Sequence, residues 1–146
     1  MTYPPFLIPI IVGCITQATK FLLSVVRHGK IEPKYLLTSG HMPSSHTSFV
    51  VSLTAMVAIR EGLDSILFAI AFVFSYIVIY DAMFIRTNIG YNGKVLNELI
   101  REIPGIKKEN YPTLRERVGH KPMEVLVGGV MGMLLTAIFI LILESI

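Results

Sequence analysis

Two short polar segments stand directly before apolar runs. TSGHMPSSHT, residues 38–47, leads into SFVVSLTAMVAI, and GHKPMEV, residues 119–125, leads into LVGGVMGMLLTAIFILIL. The first brings two histidines, His41 and His46, and the second brings His120 together with Glu124. Lys20 near the end of one apolar run, and Asp81 with Arg86 at the end of another, complete a set of ionisable groups at segment boundaries. Such a set can do phosphate chemistry. A helix that begins near Ser44 presents unpaired backbone N–H groups and a positive dipole end, and Ser44 and Ser45 add hydroxyl donors. Lys20 and Arg86 can neutralise phosphate oxygens, the arginine with two parallel bonds. A histidine beside a carboxylate is an oriented nucleophile or base, which pairs His120 with Glu124. A second histidine, His46, can protonate a leaving oxygen. The inventory suffices for phosphate monoester hydrolysis with no required cofactor and no metal ligand set, and it leaves room for Mg²⁺ to assist.

Composition says where these groups must work. Hydrophobic residues make up 53% of the 146, charged residues 16%, and the mean hydropathy is +0.64. That balance fits an integral membrane protein rather than a soluble domain. Nothing in it favours nucleic acid. The one cysteine, Cys14, lies within an apolar run and cannot form an intrachain disulfide. Trp is absent, so interfacial aromatics come from Tyr and Phe. No internal repeat or low-complexity tract is visible, and the N-terminal MTYPP has neither a basic leader nor a small-residue cleavage site, so no cleaved signal is expected.

Four apolar segments are expected to be helical spans: about Pro4 to Val26, about Ser44 to Ile59, Ser65 to Phe84 and Met123 to Leu143. A bilayer core requires about 20 helical residues. The second segment falls short at roughly 24 Å. It is expected to sit at an angle, thin the bilayer locally, or begin inside the membrane within a protein-lined cavity. Val95, Leu96, Leu99, Ile100 and Ile103 recur at helical spacing in the loop after the third segment, which predicts an amphipathic helix on the surface or packed on the bundle. Pro104-Gly105 ends it. The expectation is therefore one all-α domain over residues 1–146, a bundle of about four spans plus an amphipathic surface helix. Of the thirteen Lys and Arg, only Lys20 and Arg60 lie outside the two loops 27–43 and 85–122. The positive-inside rule then places those loops in the cytoplasm and both termini outside, in a cell inner membrane.

Each polar residue also has an ordinary structural reading. Lys20 can snorkel, Asp81 and Arg86 can pair, Ser44 can cap a helix, and His46 can be a satisfied core histidine. His120 and Glu124, four residues apart, can share a structural hydrogen bond. Packing alone, however, does not require all of these groups at one end of a bundle, and ionisable residues in a membrane by default mark function.

The same residues carry a family resemblance. The chain resembles the divergent, small branch of the type 2 phosphatidic acid phosphatase superfamily, related to acid phosphatase and vanadium-dependent haloperoxidase. The likeness runs through QATKF (17–21), SGHMPSSH (39–46), YDA (80–82) with Arg86, VLN (95–97) and GHKPMEV (119–125). It implies that Pro43-Ser44-Ser45-His46 corresponds to a Pro-Ser-Gly-His motif whose histidine is the general acid. It implies likewise that His120 with Glu124 corresponds to a His-x-x-x-Asp element whose histidine forms a phosphohistidine, and that Lys20 is the lysine of the first motif. The departures are specific. No Arg-Pro pair follows Lys20, and His41 stands in place of a glycine. The arginine six residues before the nucleophile falls on Leu114, which leaves Arg86, Arg115 or Arg117 to serve, with Arg86 favoured at a span end. The chain has about four spans where six are common.

The resulting expectation is a lipid phosphatase acting on phosphatidylglycerophosphate or phosphatidic acid. His120 is the nucleophile, His46 the acid and Glu124 the orienting group. Lys20, Ser44, Ser45 and Arg86 hold phosphate, and Asp81 supports. Alternatives are a polyprenyl diphosphate phosphatase and a non-catalytic module that binds an anionic headgroup or a partner protein. A transporter or channel is a weaker third. The small-residue pattern around Gly128-Gly129-Val130-Met131-Gly132 suits helix packing within the bundle or in a homodimer.

Overall fold

The structure, a computed structural model, describes residues 4, 6–29, 31, 42–104 and 111–145, so Ser39, Gly40 and His41 lie outside the described residues. Those described form helices and connecting segments, with no strand among them. Helix α1 (Leu7–His28) ends at Gly29, whose φ of 66° lets its N–H reach the Val25 carbonyl. Helix α2 (Ser45–Glu61) begins at the Ser44 cap and ends at Gly62. The short turn 62–65 reverses the chain, and Ser65 caps α3 (Ile66–Tyr80) by accepting from the Phe68 N–H at 3.1 Å. Helix α5 (Pro122–Glu144) opens with proline in its first turn, where no N–H is needed.

Helix α2 is the centre of the bundle. It packs against α1, α3 and α5, and α1 also meets α5. This explains why the second segment is short and rich in hydroxyls. Each neighbour is tied to α2 by one hydroxyl pair: Thr16 with Ser48 at 2.7 Å for α1, Ser75 with Thr54 at 2.6 Å for α3, and Thr136 with Ser52 at 2.6 Å for α5. The short segment is thus surrounded by three helices of the bundle. Close approach of α5 is permitted by Gly128 and Gly132, where a Cβ would collide with the carbonyls of Ser44 and Ser48. Farther from the histidines, Ile8, Val12, Met56 and Ile140 form the dry core.

Helix α1, the combined helix Ile66–Glu102 and α5 are long and apolar enough to cross a membrane. Ile66, Leu67, Ile70, Val73, Phe74 and Ile77 of α3 are exposed, as expected for side chains facing lipid.

The amphipathic helix is present, but it is not a separate surface element. Helix α3 passes through a π-helical stretch, Asp81–Ile85, directly into α4 (Arg86–Glu102). The combined 37 residues extend about 55 Å, against a hydrocarbon core of about 30 Å. Backbone hydrogen bonding does not stop where side chains become polar, and residues 81–94 contain no proline to break the run. Nor is the apolar stripe of α4 its covered face, since Leu96, Leu99 and Ile103 are exposed. Its covered side holds Gly90, Gly93 and Asn97. Segment 111–120 returns along that side because the glycines let its backbone come close. Asn97 then bonds both ways to the Leu114 backbone, donating to its carbonyl at 2.9 Å and accepting from its N–H at 3.0 Å.

Candidate active site

The start of α2 and the start of α5 are joined by the Ser44 N–H, which donates to the Glu124 carbonyl at 3.0 Å. Ser44 is fully buried, and its Oγ accepts from the Thr47 N–H at 3.4 Å, as a capping serine does. The segment ahead of α5 is pinned to the π turn by the His120 N–H, which donates to the Ala82 carbonyl at 2.9 Å. Beside it Gly119 presses on Thr87, where any Cβ would overlap the threonine backbone. The π turn therefore sets the positions of both Arg86 and His120. Arg86 donates from Nε to Asp81 Oδ2 at 2.7 Å, which holds the guanidinium and leaves its terminal amino groups available.

The expected convergence is present. His120 feels the charges of Glu124, Lys20, His46 and Arg86, and His46 those of Arg86, Lys20 and Asp81. Lys20, only 3% exposed, lies within electrostatic reach of Glu124. Groups from α1, α2, the π turn and α5 therefore gather at one end of the bundle. His46 is exposed and Ser45 half-buried, whereas His120 is buried.

One expected contact is not formed. The Glu124 carboxylate does not bond the His120 ring. Its Oε2 accepts from the Lys121 N–H at 3.2 Å, and its Oε1 from Arg117 at 3.3 Å. The reason lies in the start of α5. His120 precedes Lys121, the N-cap, so it lies outside the helix and the i,i+4 spacing rule does not apply to it. Glu124 is instead at the third helical position, where a glutamate reaches back to the cap N–H.

His120 consequently has both ring nitrogens buried and without a hydrogen-bond partner. Leaving such a group unpaired costs about 1–3 kcal/mol, and an orphan of this kind in a folded protein calls for a reason. Burial pushes its pKa down to about 4; Glu124 opposes this, while the cationic Lys20, His46 and Arg86 reinforce it. At neutral pH the ring is uncharged, with a lone pair for attack. His120 also borders an open cleft of about 510 Å³, with Thr87, Arg117 and Lys121 among its other lining residues. Lys20, Ser44, Ser45, His46 and Arg86 do not line that cleft, so the gathered cations and the cleft are neighbouring features that share His120.

A comparison with family models places residues 1–135 in the divergent PAP2 family. The chain belongs to this family. Among the curated proteins, the divergent PAP2 chain is similar to the uncharacterized membrane protein YuiD of Bacillus subtilis (strain 168), with 32% identity over 149 residues and 94% of each chain covered. No solved structure matches it. Among the described residues, no three His, Cys, Asp or Glu side chains are grouped to hold a metal ion.

Two features of this divergent PAP2 site were weakly visible in the sequence. Arg117 was one of three candidate arginines, and only its contact with Glu124 distinguishes it. The role of Asn97 had no signal beyond its place in VLN, because a clamp on a distant backbone leaves no periodic trace.

Proposed function

We propose that the chain hydrolyses a phosphomonoester on a membrane lipid, such as phosphatidylglycerophosphate or phosphatidic acid. The observation that carries this reading is the buried, uncharged His120 ring, with both nitrogens unpaired, inside a group of cations. Lys20, Arg86 and the amides and hydroxyls at the start of α2 hold the phosphate and stabilise charge on its equatorial oxygens. A ring nitrogen of His120 attacks phosphorus, the P–O ester bond breaks, and protonated His46 gives its proton to the departing alkoxide. Water then attacks the phosphohistidine while His46 takes its proton, which releases phosphate and restores both rings. Glu124 acts through its charge and through Arg117, which it holds beside His120. Metal is left out of these steps, and turnover measured with EDTA or Mg²⁺ reads any assistance directly.

The basic loops favour a cytoplasmic site with both termini outside, in a cell inner membrane. That orientation favours a lipid made on the cytoplasmic side over an outward-facing polyprenyl diphosphate. One observation favours the non-catalytic headgroup module, namely that Glu124 does not orient His120. Phosphate release from vesicles containing each lipid separates these readings. We expect turnover that vanadate inhibits, and a loss of about 10²–10⁴-fold in His46→Gln. Headgroup binding without release of phosphate from any of these lipids would instead support the module.

A further inference from the structure

A groove of about 450 Å³ runs between α2 and α3. Val51, Ala55 and Ala58 form one wall, and Phe72, Tyr76 and Ile79 the other, with Met133 of α5 also in contact. Its volume is in the range of pockets that enclose small ligands. Its two aliphatic hydroxyls are already engaged: Thr54 and Ser75 lie 2.6 Å apart, where one donates to the other, and the one that accepts donates in turn to the Val50 carbonyl, which is 2.9 and 3.0 Å from the two oxygens. The groove therefore presents methyl, methylene and aromatic groups to an occupant. Phe72 and Tyr76 are 58% and 63% exposed, so the groove opens sideways where α3 faces lipid.

Its direction identifies the occupant. Helices α2 and α3 are antiparallel, and both reach the charged end, α2 with its start and α3 with its finish. Val51 stands about 8 Å along α2 from His46, and Ile79 lies just before Asp81. One end of the trough, at Val51 and Ile79, thus lies toward the cationic cluster, and the rest extends into the apolar thickness of the bundle. A lipid with a phosphate at one end and a hydrocarbon chain at the other matches both parts at once. We propose that this groove holds one hydrocarbon chain of a phosphate-bearing lipid while its headgroup lies among Lys20, His46, Arg86 and His120. The proposal rests on the phosphatase reading and extends it by assigning a chain-binding subsite. Since the bilayer is as apolar as the groove, the gain comes from packing and position rather than transfer from water. A chain fixed in the groove fixes the phosphate relative to His120, and small misplacements of a reacting group can cost about 10²-fold in rate.

The experiment uses the purified full chain in nanodiscs. Phosphatidic acid with a photoactivatable diazirine in one acyl chain is compared with phosphatidylcholine bearing the same chain. We expect the phosphatidic acid probe to label the α2 and α3 groove residues several-fold more than the phosphatidylcholine probe. Ala55→Phe, which fills the groove, should suppress that label, whereas Ala69→Phe, on the exposed side of α3 outside it, should not. In parallel, Ala55→Phe should lower hydrolysis of long-chain phosphatidic acid about tenfold or more and leave the short-chain dihexanoyl substrate unchanged. Ala58→Leu gives the same readout if the larger substitution prevents folding. Equal labelling by both probes, label spread evenly over α1 and α5, or equal loss on long and short substrates would overturn the subsite. Absence of turnover on every substrate would instead defeat the phosphatase reading, and the labelling pattern would still report on the groove.

Discussion

At the end of the bundle remote from the histidines, Ile8, Val12, Met56 and Ile140 close into a cluster without polar atoms. At the other end Lys20, His46, Arg86, His120 and Glu124 gather within electrostatic reach of one another. Between them, three hydroxyl pairs fasten α2 to its neighbours. At the first end apolar groups touch apolar groups, and in the middle each of the paired hydroxyls has its partner. The charged end holds an imidazole with neither nitrogen bonded. The charged end therefore carries, at His120, a local cost that packing does not explain. Functional sites are where such costs are expected.

The largest effect should come from removing that cost. His120→Leu is expected to abolish turnover while leaving thermal stability in detergent equal or higher, because a buried unpaired polar group disappears. A clear loss of stability would show that the ring has a structural partner after all. The same variant sharpens the comparison through pH. With its folded pKa near 4, against 6.5 when unfolded, His120 makes the unfolded chain bind more protons between those values. The native protein should lose stability as pH falls from about 6.5 toward 4, by on the order of 3 kcal/mol in total. His120→Leu should lose less over that window in a thermal melt, and an unchanged pH profile would count against the buried neutral ring.

A middle-sized effect should follow from Gly128→Val, which forces α5 away from the Ser44 carbonyl. Overpacking costs about 1–3 kcal/mol, and since Ser44 and Glu124 are joined there, turnover should fall along with the melting temperature. Stability lost with full activity would separate the helix contact from the site. The smallest effect belongs to the middle of the bundle. Ser52→Ala should cost about 0.6 kcal/mol, the usual size of a hydroxyl pair between membrane helices, with no change in turnover beyond that of the folded fraction.

Several of these features were legible in the sequence for physical reasons. The polar residues at segment ends had to meet because alternate spans reverse direction, which placed Lys20, His46, Arg86 and His120 together. Ser44 as a cap followed from its place before an apolar run. The central position of α2 is not legible in the sequence, because its hydroxyls spaced along the helix acquire that meaning only once their partners on three neighbours are known. Continuity of α3 and α4 is not legible in the sequence, because a change from apolar to polar residues looks like the end of a span while the backbone helix continues through Asp81–Ile85. The partner of Glu124 is not legible from spacing, because four residues apart implies a shared helix turn while the helix starts only at Pro122 and leaves His120 outside it.

The central claim is that His120 accepts the phosphoryl group. Its most direct test is to mix the protein with radiolabelled phosphatidic acid, quench in base during turnover, and map the label by peptide analysis. A base-stable, acid-labile phosphoryl group on the peptide that contains His120 is the result predicted here. Steady release of phosphate with no label on that peptide, or undiminished release by His120→Ala, would contradict it.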